Sequence, residues 1–324
     1  MAADTTIIAA SATYIRIESI ANIFVVLTQF ALVALVTVNK SRYLYVMTAV
    51  RLALCLIADT FLVSSLPVSA KLGVNGIAYS NIIVNGILLA ASVVLLAKEE
   101  IYIFKKEKLN FAWTKEFVKI GGLSGLESFV RNIAYMVMIA RMVNVVSEQG
   151  TYWVANNFIW GWLLLPVIQL GELIKQEVAA DQENLRRNSL GYFGITAMIC
   201  TLWFVSIPAW KPFMTHILGF ADVEKLFSLV MLLIGFYVFY AVQNVFDATF
   251  YGLGKTNYML FESVVTNTIY YGIAFVLYIT GIWVPTLTGI ALLFGIGNVF
   301  DSVVSLCAYV FLLKKQRISI RNVE

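Results

Sequence analysis

The sequence predicts an all-α integral membrane protein of about nine transmembrane helices, and three observations carry that expectation. Hydrophobic residues make up 60% of the chain and charged residues only 13%, roughly half the charged share of a soluble domain. Mean hydropathy is +0.83. The 324 residues alternate long apolar runs with short polar breaks, and a helix of roughly 20 residues suffices to cross a hydrocarbon core of roughly 30 Å.

In order, the runs are 16–38, 43–65, 73–97, 117–145, 152–175, 190–210, 226–252, 258–280 and 285–313. The stretch 1–12 has no basic residue, and the run after it is too long for the core of a signal peptide, so the first run reads as a true span. Cys55, Cys200 and Cys307 lie singly in separate apolar runs, with no paired-cysteine motif, and His216 is the one histidine. That pattern predicts buried small hydrophobes and no metal site. Net charge is +4 and sits in short inter-run clusters, which excludes a nucleic-acid surface and leaves lipid and small molecules as partners.

Assigning the breaks alternately to two sides tests the order of spans, because Lys and Arg accumulate on cytoplasmic loops. One side collects Lys40, Arg42, Lys98, Lys105, Lys106, Lys108, Lys115, Lys119, Lys175, Arg186, Arg187, Lys255, Lys314, Lys315, Arg317 and Arg321; the other has Arg16, Lys71, Arg141, Lys211 and Lys225. The expectation is a multi-pass protein of a bacterial plasma membrane, with a cytoplasmic C-terminus and an outside N-terminus for this chain.

The most charged break, 98–116, separates three runs from six and reads as a linker. Residues 1–97 form a partial N-lobe, and 117–324 form a complete six-helix C-lobe with a basic cytoplasmic tail. A repeat supports the division. Lys40, Ser41, Arg42 and Tyr43 are echoed 215 positions later by Lys255, Thr256, Asn257 and Tyr258. Asn75, Gly76, Ile77 and Ala78 then find Thr288, Gly289, Ile290 and Ala291, and Asn85 finds Asn298, both 213 positions on. The first three helices thus resemble the last three in the same orientation, a parallel repeat. A full unit of six implies that three helices are lacking ahead of the first lobe.

Four segments carry a family resemblance: Tyr14-Ile15-Arg16-Ile17 at the first span, Leu72-Gly73-Val74-Asn75-Gly76-Ile77-Ala78 as a turn into the third, Gly121-Gly122-Leu123-Ser124-Gly125-Leu126-Glu127 as a glycine-rich turn opening the C-lobe, and Tyr251-Gly252-Leu253-Gly254-Lys255-Thr256 closing the seventh. In order and spacing the chain resembles the multidrug and toxic compound extrusion (MATE) transporters. The resemblance implies two lobes related by an axis along the membrane normal and cation-coupled export of organic cations. Family members commonly have proline where Ser124 stands. Many also carry a cation-binding acidic residue in their first helix, for which this chain has no counterpart.

Carboxylates inside apolar runs are functional candidates because a charge in hydrocarbon costs at least about 2.5 kcal/mol. Asp59, Glu127, Glu172, Asp247, Glu262 and Asp301 qualify. Glu127 stands four residues before Arg131, on one helix face, as either a self-neutralising pair or a coupling or substrate site. Gln243 and Asn244 precede Asp247 and give it a polar face, read as either a coupling or substrate site or a structural network. Asp59 follows Arg51 by about two turns, as a charge pair or part of a first-lobe cavity. Asn298 and Asp301 share a face and, with Glu262 and Asn267 of the neighbouring span, are expected to line the lobe interior. Glu172, between Gln169 and Lys175, reads as a water-facing cluster. Asn156, Asn157, Trp160 and Trp162 are either an interfacial belt or cation-stacking aromatics, and Pro166 is expected to kink their helix.

The expected function is secondary antiport, in which drug-like or organic-cation substrates leave in exchange for H⁺ or Na⁺, with no other cofactor and no enzymatic chemistry. The alternatives are a flippase for lipid-linked oligosaccharides, which would want a basic cavity, and a transport-inactive remnant. One prediction follows from the basic asymmetry alone: a reporter fused after Glu324 is cytoplasmic and one fused before Ala12 is outside. Both reporters on one side would refute an odd number of spans.

Overall fold

Apolar runs of this length become helices in lipid because every backbone N–H and C=O must be satisfied within the segment. The computed structural model describes residues 8–316 apart from 39, 41, 65, 102–110 and 221. The expectations for Ser41, Lys105, Lys106, Lys108, Arg317 and Arg321 lie outside the described residues.

Among the described residues ten helices follow one another: α1 (Ile8–Thr37), α2 (Arg42–Leu62), α3 (Gly73–Lys98), α4 (Thr114–Asn144), α5 (Gln149–Leu163), α6 (Leu165–Ala180), α7 (Glu183–His216), α8 (Val223–Gly252), α9 (Thr256–Ile279) and α10 (Leu287–Gln316). Each of the nine apolar runs falls on helix, the fifth being divided between α5 and α6. Among the described residues, seven of these helices are long and apolar enough to cross a membrane on their own. The pair α4 and α5, bent by 119° at the break between them, brings the number to as many as eight when counted as one span. Large apolar side chains point outward along the helices, with Leu56 72% and Val205 71% exposed. That surface suits lipid, not water.

The chain divides into two compact units, Ala2–Leu109 and Asn110–Glu324. In the smaller unit α3 packs against both α1 and α2. Glu18 of α1 accepts from the Asn81 amide of α3 through both carboxylate oxygens, each at 3.0 Å. Where α3 ends, Glu99 accepts from the Tyr43 hydroxyl at 2.6 Å and pairs with Lys40 at 2.8 Å. These two partners hold the Glu99 carboxyl below its usual value, Lys40 contributing most.

In the larger unit α8 is the central helix, packed against α5, α6, α7, α9 and α10. Its crossing with α6 depends on a glycine. Asn244 donates to the Val167 carbonyl at 2.8 Å, and a Cβ at Gly171, one turn along α6, would lie 2.5 Å from the Asn244 amide nitrogen. Pro166 sits in the first turn of α6. There the Trp203 indole of α7 donates to the Leu163 carbonyl at 2.9 Å. The break expected at Pro166 therefore starts a new helix, with a neighbouring tryptophan supplying a donor to the interrupted ladder.

The glycine-rich stretch 121–125 differs from the expected turn, since it is helical throughout α4. Glycine is tolerated within membrane helices, and Ser124, unlike the proline common in the family, keeps its backbone N–H for the helical ladder. Gly171→Ala is expected to lower the thermal unfolding midpoint of the detergent-solubilised protein, with an overpacking cost of about 1–3 kcal/mol. Adding Asn244→Ala should recover part of the loss. Wild-type stability in Gly171→Ala would mean that α6 and α8 do not cross this closely.

Candidate functional site

Asp247 lies four residues after Gln243 on α8, so both project to the same side of the helix. Gln243 is buried, and its amide is the hub of the site. Its Nε2 lies 2.5 Å from Glu262 Oε1 of α9, 2.9 Å from Asp301 Oδ2 of α10 and 3.3 Å from Asp247 Oδ2. Its Oε1 accepts from the Ser302 hydroxyl at 2.8 Å. Ser305 donates to Asp247 at 2.9 Å and Thr266 donates to Asp301 at 2.6 Å. Glu262 Oε2 is buried and makes no hydrogen bond among the described residues.

A cavity of about 320 Å³ opens against this cluster, and Asp247, Glu262, Asp301, Gln243 and Asn298 all line it. Glu127 and Arg131 of α4 line it too. They form an ion pair of 3.0 Å in which the Glu127 side chain is 4% exposed and Arg131 is 62% exposed. Arg131 is the one basic side chain beside four carboxylates in that lining.

Three helices that border the cavity loosen into π-helical turns beside it: Tyr135–Ile139 in α4, Ile159–Leu163 in α5 and Thr266–Tyr271 in α9. Each contributes lining residues, among them Tyr135, Trp160, Asn267 and Tyr271. A π turn inserts an extra residue and re-aims the side chains after it, and such turns gather at functional sites. Asn267 donates to the Ser263 carbonyl at 2.7 Å, so a side chain supports the backbone where the α9 ladder widens.

The structure thus brings Gln243, Asp247, Glu262, Asp301, Asn298, Glu127 and Arg131 to one cavity of the larger unit, whose lining does not include Asn244 or Glu172 of that unit. Asn244 faces α6, because adjacent helical residues point about 100° apart and Gln243 already faces inward. Asp59 and Arg51 belong to the smaller unit, are both exposed on α2 and form no ion pair among the described residues. Eight residues, about 12 Å of helix, lie between them. Glu172 is exposed and paired with Lys175 at 2.6 Å. Trp160 lines the cavity and donates to the Tyr237 hydroxyl at 3.1 Å, which in turn donates to Asn156 at 2.5 Å. Trp162 is 52% exposed and meets Phe213 edge-on. Sequence reasoning passed over Ser302, Ser305, Thr266 and the Glu18–Asn81 pair. Glu18 carries a signal that was available, a carboxylate within the first apolar run.

The architecture has known counterparts among solved structures. A mutant of the Vibrio cholerae MATE transporter VcmN superimposes with a TM-score of 0.69 at 16% identity, over 97% of this chain and 72% of that one. The chain has the MATE fold. A MATE solved in complex with Br-NRF gives a TM-score of 0.62 at 15% identity, over 92% of this chain and 69% of that one. Comparison with protein-family models and with curated proteins gives no match. Within this MATE fold, the carboxylate cluster occupies the interior of the six-run unit, on α8, α9 and α10.

The hub carries a stability expectation. Gln243→Leu keeps the volume of the side chain and removes the amide donor that the three carboxyls share, leaving buried oxygens unpaired at roughly 1–3 kcal/mol each. A clear drop in the thermal unfolding midpoint in detergent is the expected result. An unchanged midpoint would show that the amide does not hold the cluster together.

Proposed function

We propose that the protein is a secondary transporter that exports amphipathic organic cations in exchange for protons, with the Gln243 cluster as the coupling site. The MATE fold supports a transporter, and one observation carries the choice of ion. An amide nitrogen bears two hydrogens, yet Gln243 Nε2 faces three carboxyl oxygens within hydrogen-bond distance. On this reading a proton held by the cluster makes up the deficit, and Asp247, which has the longest contact and opens onto the cavity, exchanges it. Sodium exchange is the competing outcome of the same test.

The cavity lining suits a cationic substrate. Four carboxylates supply charge, while Trp160, Tyr135, Tyr240 and Tyr271 supply aromatic surface to which a cation is attracted through the ring faces. A flippase for anionic, lipid-linked sugars would want the opposite charge. The Glu127–Arg131 pair lowers the net charge at the cavity wall and leaves the α8–α10 carboxyls as the exchanging groups.

The reading predicts competition between protons and substrate. If binding one organic cation displaces one proton, the apparent affinity of the solubilised full chain for fluorescent ethidium falls by up to tenfold per unit of pH lowered through the working range. Asp247→Asn should flatten that dependence and, in proteoliposomes, reduce pH-gradient-driven dye export while the amount of folded protein stays constant. Affinity that ignores pH but falls with sodium would transfer the coupling to Na⁺. Wild-type pH dependence in Asp247→Asn would remove that residue from the site.

A further inference from the structure

A second cavity in the larger unit, of about 590 Å³, lies between the start of α4 and the α8–α9 turn. Lys115, Lys119 and Lys255 line it with a single acid, Glu116, and all four side chains are exposed. Among the described residues none of the three lysines has an ion-pair partner. The wall is secured on both sides: the Thr256 hydroxyl donates to the Ile120 carbonyl at 3.0 Å, tying α9 to α4, and Gly254 takes φ +63°, a turn that suits glycine.

The internal repeat sets Lys255 apart. In the first copy Lys40 is neutralised by Glu99, which also accepts from Tyr43. Lys255 corresponds to Lys40, but 213 positions beyond Glu99 stands Leu312, followed by Lys314 and Lys315. The second copy therefore keeps the cation and has leucine at the position where the first has its anion. The lining also includes the apolar Ile120, Leu123 and Leu253, and on the same helix α4 Phe117 and Val118 are 55% and 64% exposed. Trp113 packs edge-on against Phe117 at 5.5 Å, as aromatic residues do at a membrane interface.

We infer that this cavity binds the phosphate headgroup of an anionic membrane lipid, with Lys115, Lys119 and Lys255 on the phosphate and the acyl chains along the Phe117 and Val118 face of α4. The phosphate takes the part in the second copy that Glu99 takes in the first. A free phosphate ion would use the lysines but have no need of the apolar residues beside them. Basic pockets between helices at the membrane surface recognise headgroups through this combination of charge and depth. The site is separate from the carboxylate cavity and does not depend on the transport reading.

The test is titration of the detergent-solubilised full chain with fluorescent phosphatidylglycerol and, in parallel, phosphatidylcholine, with excess inorganic phosphate as competitor. Phosphatidylglycerol should bind more tightly. Lys115→Gln, Lys119→Gln and Lys255→Gln should each weaken it about fivefold and together roughly a hundredfold, to the level of phosphatidylcholine. Glu116→Gln should strengthen it about fivefold, a change of opposite sign at the same place. Unfolding midpoints identify any variant that fails to fold. Equal binding of the two lipids, or a preference that survives the triple variant, overturns the site. Full displacement by inorganic phosphate overturns the lipid as its occupant.

Discussion

Three carboxyl groups inside a helical bundle need donors, and the Gln243 amide is the donor they share. An unpaired polar group in hydrocarbon is costly and an unpaired charge far more so, so Asp247, Glu262 and Asp301 restrict how α8, α9 and α10 can pack. The contacts of 2.5, 2.9 and 3.3 Å from one nitrogen require the three helices to converge at one level. Ser302, Ser305 and Thr266 complete the arrangement with hydroxyl donors from α9 and α10. Each of these small side chains can donate without adding charge, which lets the cluster sit at the core of the unit.

The π turns follow from the same constraint. A regular helix fixes each side chain at 100° from the last, and the cavity needs aromatic and amide groups at positions that this rule does not provide. Widening α4, α5 and α9 by one residue each re-aims Tyr135, Trp160, Asn267 and Tyr271 toward the carboxylates. In α9 the widened ladder is supported by a side chain, since Asn267 donates to the Ser263 carbonyl.

Much of this was legible in the sequence, and what was not depended on direction in space. Run length and polar breaks are one-dimensional signals, so the nine apolar runs, the charged break at 98–116 and the carboxylates within the runs are visible without coordinates. Helical spacing placed Gln243 and Asp247 on one face and Asn298 and Asp301 on another. The same rule excludes Asn244 from the Gln243 face, and adjacency in the sequence misled there. The stretch 121–125 reads as a turn by composition but is helix, because glycines can report close packing or flexibility and only the surroundings decide. π turns leave no composition signal of their own.

Charge balance links the proposed coupling to the proposed substrate. Four carboxylates and one guanidinium line a cavity enclosed by apolar helices, and full ionisation would leave three uncompensated negative charges where water is scarce. Glu127 is already matched by Arg131 at 3.0 Å, so the remaining excess falls on Asp247, Glu262 and Asp301. Two kinds of positive charge can offset it, protons on the carboxyls or an organic cation against the aromatic wall. When one occupies the cavity, the electrostatic need for the other falls, and each binds more weakly in the other's presence. Mutual weakening of that kind is reciprocal by thermodynamic necessity. It is the property an exchanger requires, and on the proposed reading it arises from the carboxylate count and needs no separate gate for each ion.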